Sequence, residues 1–273
     1  MNDLEFFEKV KSYKFIANKS LGQNFLIDSN VASAIVDTLN IQKDDKVLEI
    51  GAGIGSLSYY LSKKDVKATL IDVDERMINI LNAQFGSNKN FEVKRMNILK
   101  MDIKEYTKII GNLPYYITSS ILEHILLNGV NAKSITLMTQ KEVYQKLTDK
   151  KEVSPLSLLL KHTCSISPAK VVGRNSFTPV PHVDSSYFVL TPNENIKNEG
   201  NKDVYKLMCR IFLHKRKTIL NCLTTIVKDK EKAESILKEL DTSILKRPEE
   251  LDINFYIELS NVLKSNDFNI KIM

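Results

Sequence analysis

The chain has 273 residues, 43% apolar and 26% charged, which suits one large and one smaller domain and argues against wholesale disorder. Its 39 basic and 33 acidic residues give a net charge of +6, a value that permits a polyanionic partner without requiring one. Three scattered cysteines, Cys164, Cys209 and Cys222, indicate neither a disulfide framework nor a zinc site, and reduced thiols fit a cytoplasmic protein.

The opening stretch, MNDLEFFEKVKSYKF, mixes charges with aromatics and has no apolar core of signal-peptide length. No later segment approaches the roughly 18 to 20 apolar residues that a membrane span needs. From Lys46 to Thr139, short β-rich runs alternate with helical patterns: VLEI (47–50), ATLID (68–72), FEVK (91–94), KIIGN (108–112) and SITLMT (134–139). Between them, Ile78, Ile80 and Leu81, and then Ile121, Leu122, Ile125 and Leu126, fall at helical spacing. Such alternation predicts an α/β domain with a parallel sheet covered by helices on both faces.

Residues 165–191 change character. Pro168, Pro179 and Pro181 punctuate two β-rich runs, which predicts a hairpin-like addition at the far edge of the sheet. The large domain therefore closes near residue 191. The polar segment TPNENIKNEGNKD (191–203) has no apolar period and reads as a linker, centred on 192–201. From 202 to 273 the pattern is helical only, with Leu207, Ile211, Ile219, Leu220, Leu223, Ile236, Leu237, Tyr256 and Leu259 recurring at helical spacing. This predicts a small all-helical second domain.

VLEIGAGIGSLSYYL sets Gly51, Gly53 and Gly55 directly between a strand and a helix, where glycines permit a tight turn and the close approach of a ligand. The spacing G-x-G-x-G is not that of the dinucleotide fingerprint G-x-G-x-x-G. Asp72 ends the next predicted strand, with Asp74 two residues on, and a carboxylate there can accept both ribose hydroxyls of an adenosyl group. Taken singly, either acid could be a loop charge or a helix N-cap; with the glycine loop they predict a nucleoside-bearing cofactor at the C-terminal edge of the sheet.

GNLPYYI (111–117) follows the fourth β run at that same edge. Its residue types answer a specific chemical problem: the amino nitrogen of adenine is a poor nucleophile because its lone pair is delocalised into the ring. Acceptors aimed at its two N–H groups favour the pyramidal nitrogen of the transition state. The Asn112 side-chain oxygen and a main-chain carbonyl at Leu113 or Pro114 are the candidates, with Pro114 stiffening the turn and Tyr115 available to stack on the base. In isolation, Asn-Leu-Pro-Tyr is an ordinary turn into a helix; its position after the glycine loop and Asp72 favours the chemical reading. No general base is apparent or needed, because attack on a sulfonium methyl makes the amine acidic.

SLGQNFLID (20–28), EIGAGIG (49–55), IDVDERM (71–77), GNLPYYI, FTPVPHVDSS (177–186) and LHKRKTILN (213–221) together resemble, in order, the motifs of the ribosomal RNA adenine dimethyltransferases. The resemblance implies a Rossmann-like methyltransferase domain that uses S-adenosyl-L-methionine, and a helical C-terminal domain. It also implies dimethylation of N6 on two adjacent adenosines near the 3′ end of 16S rRNA in the small ribosomal subunit. By the same resemblance Asn24 and Leu26 line the methionine end of the cofactor, Gly51 and Gly53 its close-approach point and Asp72 its ribose, while Asn112 joins cofactor and target base. Phe177 is similar to an aromatic that closes over the flipped adenine, and is equally readable as a core residue. Where the family usually carries Asp, this chain has Asn97, with Asp102 five residues later; an amide oxygen there can still accept the adenine amino proton.

His124, His162, His182 and His214 share no metal-ligand spacing with the cysteines, so no metal is assigned. Ser185 and Ser186 sit in no G-x-S-x-G elbow. Lys215, Arg216 and Lys217 could be a solvated helix face; beside Lys206 and Arg210, in an RNA enzyme, they become a phosphate-binding patch. The expected enzyme works as a monomer without membrane attachment. Two alternatives are a large-subunit rRNA adenine methyltransferase of the macrolide-resistance type, and a non-catalytic RNA-binding assembly factor. The segments LHKRKTILNCL and RPEELDINFYIELSNVL favour the small-subunit enzyme.

Overall fold

The computed structural model describes residues 2–12, 18 and 22–266. In chain order, α1 (Asp3–Ser12), β1 (Phe25–Leu26) and α2 (Ser29–Asp37) lead into β2 (Lys46–Ile50), α3 (Ser56–Leu61), β3 (Lys67–Asp72), α4 (Glu75–Phe85), β4 (Phe91–Arg95), β5 (Lys108–Asn112), α5 (Thr118–Asn128) and β6 (Ser134–Gln140). Next come α6 (Lys141–Thr148), α7 (Pro155–Thr163), β7 (Cys164–Ile166), β8 (Lys170–Val172), β9 (Phe177–Thr178) and β10 (Ser185–Pro192). The remainder is helical: α8 (Asn201–Phe212), α9 (Ile219–Val227), α10 (Lys230–Glu239) and α11 (Ile253–Ser265).

The chain folds into two compact units. The first comprises the residues up to Lys146 together with Cys164–Asn193, and the second Leu147–Thr163 with the chain from Glu194 onward. A sequence boundary at 191 does not see that α7 leaves the first unit: its buried Leu159 and Leu160 belong with α8 and α11, and no break in composition marks the excursion.

In the first unit the strands lie in the order β4-β3-β2-β5-β6-β10, with β7 and β8 both paired to the outer side of β10. The five strands from β4 to β6 are parallel and β10 is antiparallel. Val47, Leu48, Leu70, Ile109, Ile110, Ile135 and Leu137 are fully buried, as expected of parallel strands covered on both faces. β4 forms an edge, and Glu92, Lys94 and Arg95 keep it polar. β7 and β8 occupy successive stretches of one side of β10 rather than forming a hairpin with each other, because β10 is long enough to pair with both. β9 leaves this sheet altogether and pairs with β1, matching Phe25 with Thr178 and Leu26 with Phe177.

Side-chain caps fix several helix starts. Asp28 accepts the amides of Asn30 and Val31 at α2, and Asp74 accepts that of Arg76 at α4. α1 is held by Phe6, which stacks on Tyr59 with centroids 4.1 Å apart, and by Asp3, which accepts the hydroxyls of Tyr59 and Tyr60 and pairs with Lys63. These donors hold the Asp3 carboxyl down at about 2.

In the second unit, Leu207, Met208, Ile211, Leu223, Leu237, Leu259 and Leu263 are buried, as is Tyr256, which contacts the rings of Phe212 and Phe255 and whose hydroxyl donates to the Pro248 carbonyl at 2.7 Å. The segment expected to be a linker is ordered. Residues 194–197 form a 3₁₀ turn that buries Ile196, the Asn201 side chain donates to the Asn195 carbonyl at 2.7 Å, and α8 already begins at Asn201. One apolar side chain and an asparagine ladder suffice here, a pattern that carries no period.

Gly55 connects β2 to α3 with φ of 88°, and a Cβ built on it would lie 2.6 Å from Cε2 of buried Phe85. Gly55→Ala is therefore expected to cost about 2 kcal/mol of stability from left-handed strain and overpacking. Denaturant titration checks this, and an unchanged midpoint would show that the loop yields freely.

Candidate active site

The strand order reverses at β2, which has β3 on one side and β5 on the other. Connections from the two strands leave in opposite directions and open a crevice at their C-terminal ends. A cavity of about 300 Å³ lies there. It is lined by Asn24, Leu26, Gly51, Gly53, Asp72, Asn97 and Asn112, the seven positions expected to hold a cofactor, and by Leu113, Pro114 and Tyr115 of the expected catalytic turn. Ser20 and Leu21 of the SLGQNFLID motif lie outside the described residues.

Backbone amides shape the glycine loop. Gly51 and Gly53 have φ of 65° and 55°, and the Gly53 N–H donates to Asp72 Oδ2 at 2.9 Å, tying the loop to the end of β3. The Asp74 N–H donates to Asp72 Oδ1 at 2.9 Å. Each carboxylate oxygen keeps a lone pair, so Asp72 can still accept ribose hydroxyls. Burial pushes the Asp72 carboxyl up despite these amide donors. Asp74 has the cap role: it starts α4, bonds Arg76 and Gln23, and does not line the cavity. Chiefly through Arg76, its carboxyl is held down at about 2.

Asn112 ends β5, and its Nδ2 donates to the Asn24 carbonyl at 3.0 Å. Because a carbonyl oxygen can only accept, the amide orientation is forced, and Oδ1 is left to act as an acceptor. The Leu113 N–H donates to the Met138 carbonyl on β6. The Pro114 carbonyl accepts from the Ile117 amide and the Thr118 hydroxyl, whereas the Leu113 carbonyl accepts no hydrogen bond among the described residues. Of the two main-chain acceptors considered from sequence, Leu113 is thus the open one. Tyr115 is half-buried, and its hydroxyl lies 2.9 Å from Ser185 Oγ.

Two expectations change. Phe177 does not line the cavity; it is 1% exposed, sits in the apolar core and pairs β9 with β1, so its ring supports the strand that carries Leu26. Asn97 lines the cavity, but its Oδ1 accepts the Leu99 amide at 3.0 Å as the cap of a 3₁₀ turn. It therefore offers one remaining lone pair and an amide nitrogen rather than a wholly free acceptor. Lys206 and Arg210 lie on the exposed face of α8, and Lys215, Arg216 and Lys217 are exposed in the turn between α8 and α9, not on a helix.

Sequence reasoning missed Glu49. It is 1% exposed, borders the cavity and accepts the Ser58 hydroxyl at 2.6 Å. Burial, reinforced by nearby Asp72, pushes its carboxyl up to about 8. An acid inside the apolar run VLEI was the available signal. Val73, Met96 and Leu99, which also line the cavity, were missed because exposed apolar residues just past strand ends have no spacing signature.

Residues 14–260 match the model of a family described as ribosomal RNA adenine dimethylase. The chain is 36% identical to the ribosomal RNA small subunit methyltransferase A of Lactobacillus johnsonii over 93% of each chain, and 34% identical to that of Clostridium perfringens over 96% of each. Among solved structures it resembles a dimethyladenosine transferase from Plasmodium falciparum, with a TM-score of 0.75, 26% identity, and coverage of 88% of this chain and 98% of that one. The 23S rRNA methyltransferase ErmE shares the fold, with a TM-score of 0.64, 23% identity, and coverage of 88% of this chain and 100% of that one.

The Glu49 carboxyl titrates near its ordinary value of 4.5 when unfolded and at about 8 when folded. Between these pH values the folded state holds the extra proton, so stability falls as pH rises through the window. Glu49→Gln, which cannot ionise, is expected to gain thermal stability relative to wild type as pH goes from about 5 to about 8. A gap that stays constant across this range would show that Glu49 ionises as an exposed acid does.

Proposed function

Since the chain belongs to the ribosomal RNA adenine dimethylase family, we propose that it transfers methyl groups from S-adenosylmethionine to N6 of two adjacent adenosines near the 3′ end of small-subunit ribosomal RNA. The observation that carries this reading is the paired acceptor at the end of β5: Asn112 Oδ1, oriented by the Asn24 carbonyl, and the open Leu113 carbonyl beside it. Two acceptors aimed at one amino group suit an amine whose lone pair must be freed from its ring.

The residues present fit the cofactor. Asp72 retains lone pairs for ribose hydroxyls, the glycine loop presents backbone without side chains, and Val73, Met96 and Leu99 offer apolar walls for a base. S-adenosylmethionine, when bound, supplies a methyl group made electrophilic by its positively charged sulfur. The chain's part is placement: Asn112 and Leu113 hold the target N–H groups, Pro114 fixes the turn, and Tyr115 gives the flipped base a face to stack on. No side chain is required to remove a proton before attack, and a second methyl transfer uses the same acceptors with one N–H fewer.

Full-length likeness to small-subunit methyltransferases at 34 to 36% identity supports a small-subunit substrate over a large-subunit one. The five basic residues on and after α8 supply phosphate contacts that position the enzyme without reading bases. The same reading takes the enzyme as a cytoplasmic monomer that needs no metal. Among the described residues no helix is long and apolar enough to cross a membrane, and no group of three or more His, Cys, Asp or Glu side chains could hold a metal ion.

Incubation with labelled S-adenosylmethionine and each unmodified ribosomal subunit tests the assignment, label in the large subunit alone being the contrary outcome. Asn112→Ala, assayed at saturating cofactor, should transfer methyl at least about a hundredfold more slowly in single turnover. A near-native rate would reduce the motif to a turn.

Charge reversal of Lys215, Arg216 and Lys217 to Glu should abolish stable binding to the small subunit and flatten its salt dependence, while thermal stability and cofactor affinity stay close to wild type. Normal binding at physiological salt would mark the patch as merely solvated.

A further inference from the structure

Ser185 opens β10 and has no role in the reading above, yet its side chain is completely buried and its hydroxyl meets the Tyr115 hydroxyl at 2.9 Å. A buried serine hydroxyl costs free energy unless it is bonded, and an alanine would serve the strand as well in packing terms. Its backbone is clamped from both sides, paired with Gln140 on β6 and with Val172 on β8. Because β10 runs against the parallel strands, its first residue lies at their C-terminal edge, where Asn112 pairs with Met138 and the catalytic turn begins.

Tyr115 sits differently. It lies in a short 3₁₀ turn beyond the end of β5, past the last ladder pair, so strand pairing does not fix its ring. A ring used as a stacking surface must be held in one orientation before the base arrives, or binding has to cover the cost of ordering it. The bond to Ser185 reaches the far end of the ring, where a small rotation about the side-chain torsions produces the largest displacement.

We propose that Ser185 is a positioning residue that locks the Tyr115 ring as a preformed platform for the target adenine, and so acts on base capture and not on methyl transfer itself. This rests on the reading of Tyr115 as the surface on which the flipped base stacks. It further implies that the Tyr115 hydroxyl is committed to the protein and does not serve the substrate amine. The interaction is a hydroxyl pair spanning the turn and β10, so removing either hydroxyl removes the same interaction.

The test is a double-mutant cycle with Ser185→Ala, Tyr115→Phe and both together, measured as KM and kcat with unmodified small subunits, alongside cofactor affinity and thermal midpoint; Tyr115→Ala is the control for the platform. Ser185→Ala and Tyr115→Phe are each expected to raise KM for the subunit about threefold to tenfold, the worth of one hydrogen bond, with kcat and cofactor affinity near wild type. The double variant should be no worse than either single variant. If Tyr115→Ala impairs KM while Ser185→Ala and Tyr115→Phe do not, or if the two losses multiply, Ser185 does not position the ring. If Tyr115→Phe alone leaves KM unchanged, the proposal fails even where Ser185→Ala proves too unstable to assay. If Tyr115→Ala itself leaves KM unchanged, the platform reading fails first and takes this proposal with it.

Discussion

The amide of Asn112 has two chemically opposite ends, and the hydrogen bond from its Nδ2 to the Asn24 carbonyl decides which one is offered to a substrate. Rotated by half a turn, the same side chain would face the Asn24 carbonyl with its own oxygen and turn a donor toward the cavity, where the observed orientation offers an acceptor. The bond depends on both partners being fixed. Asn112 is fixed by the β5–β6 ladder, and Asn24 by the next two residues, which form β1 and pair with β9. The burial of Phe177 in the core keeps β9 in place, so a residue that resembles a substrate contact in sequence supports the acceptor from behind.

Two acids line the cavity and a third stands beside it, each in a different state. Asp74 is held ionised by Arg76, Asp72 is buried but bonded by two backbone amides, and Glu49 is buried with one hydroxyl donor and pushed far above the usual carboxylate range. The raised carboxyl of Glu49 limits its repulsion with neighbouring Asp72. Asp72, which lines the cavity, is also the acid that closes the glycine loop, so cavity wall and loop geometry share a residue.

The second unit has a different physical basis. Its buried residues come from amphipathic helices and include Tyr256, and five of its cations, Lys206, Arg210, Lys215, Arg216 and Lys217, lie on the exposed face of α8 and in the turn that follows.

The sequence by itself determined the alternation of strands and helices, the glycine loop, Asp72 and the Asn-Leu-Pro-Tyr turn, because each is encoded within a few consecutive residues. All of the residues expected to hold a cofactor do line one cavity. Tertiary structure alone decided the rest. Whether Asn112 presents its oxygen depends on a carbonyl 88 residues away in the chain, and Tyr115 is tied to Ser185 across 70 residues. Phe177 is buried because β9 leaves the main sheet for β1, Asn97 spends a lone pair on a local cap, and α7 joins the second unit without any break in composition. Local pattern records which side chains could act, whereas orientation and burial arise from contacts between segments that the pattern does not connect.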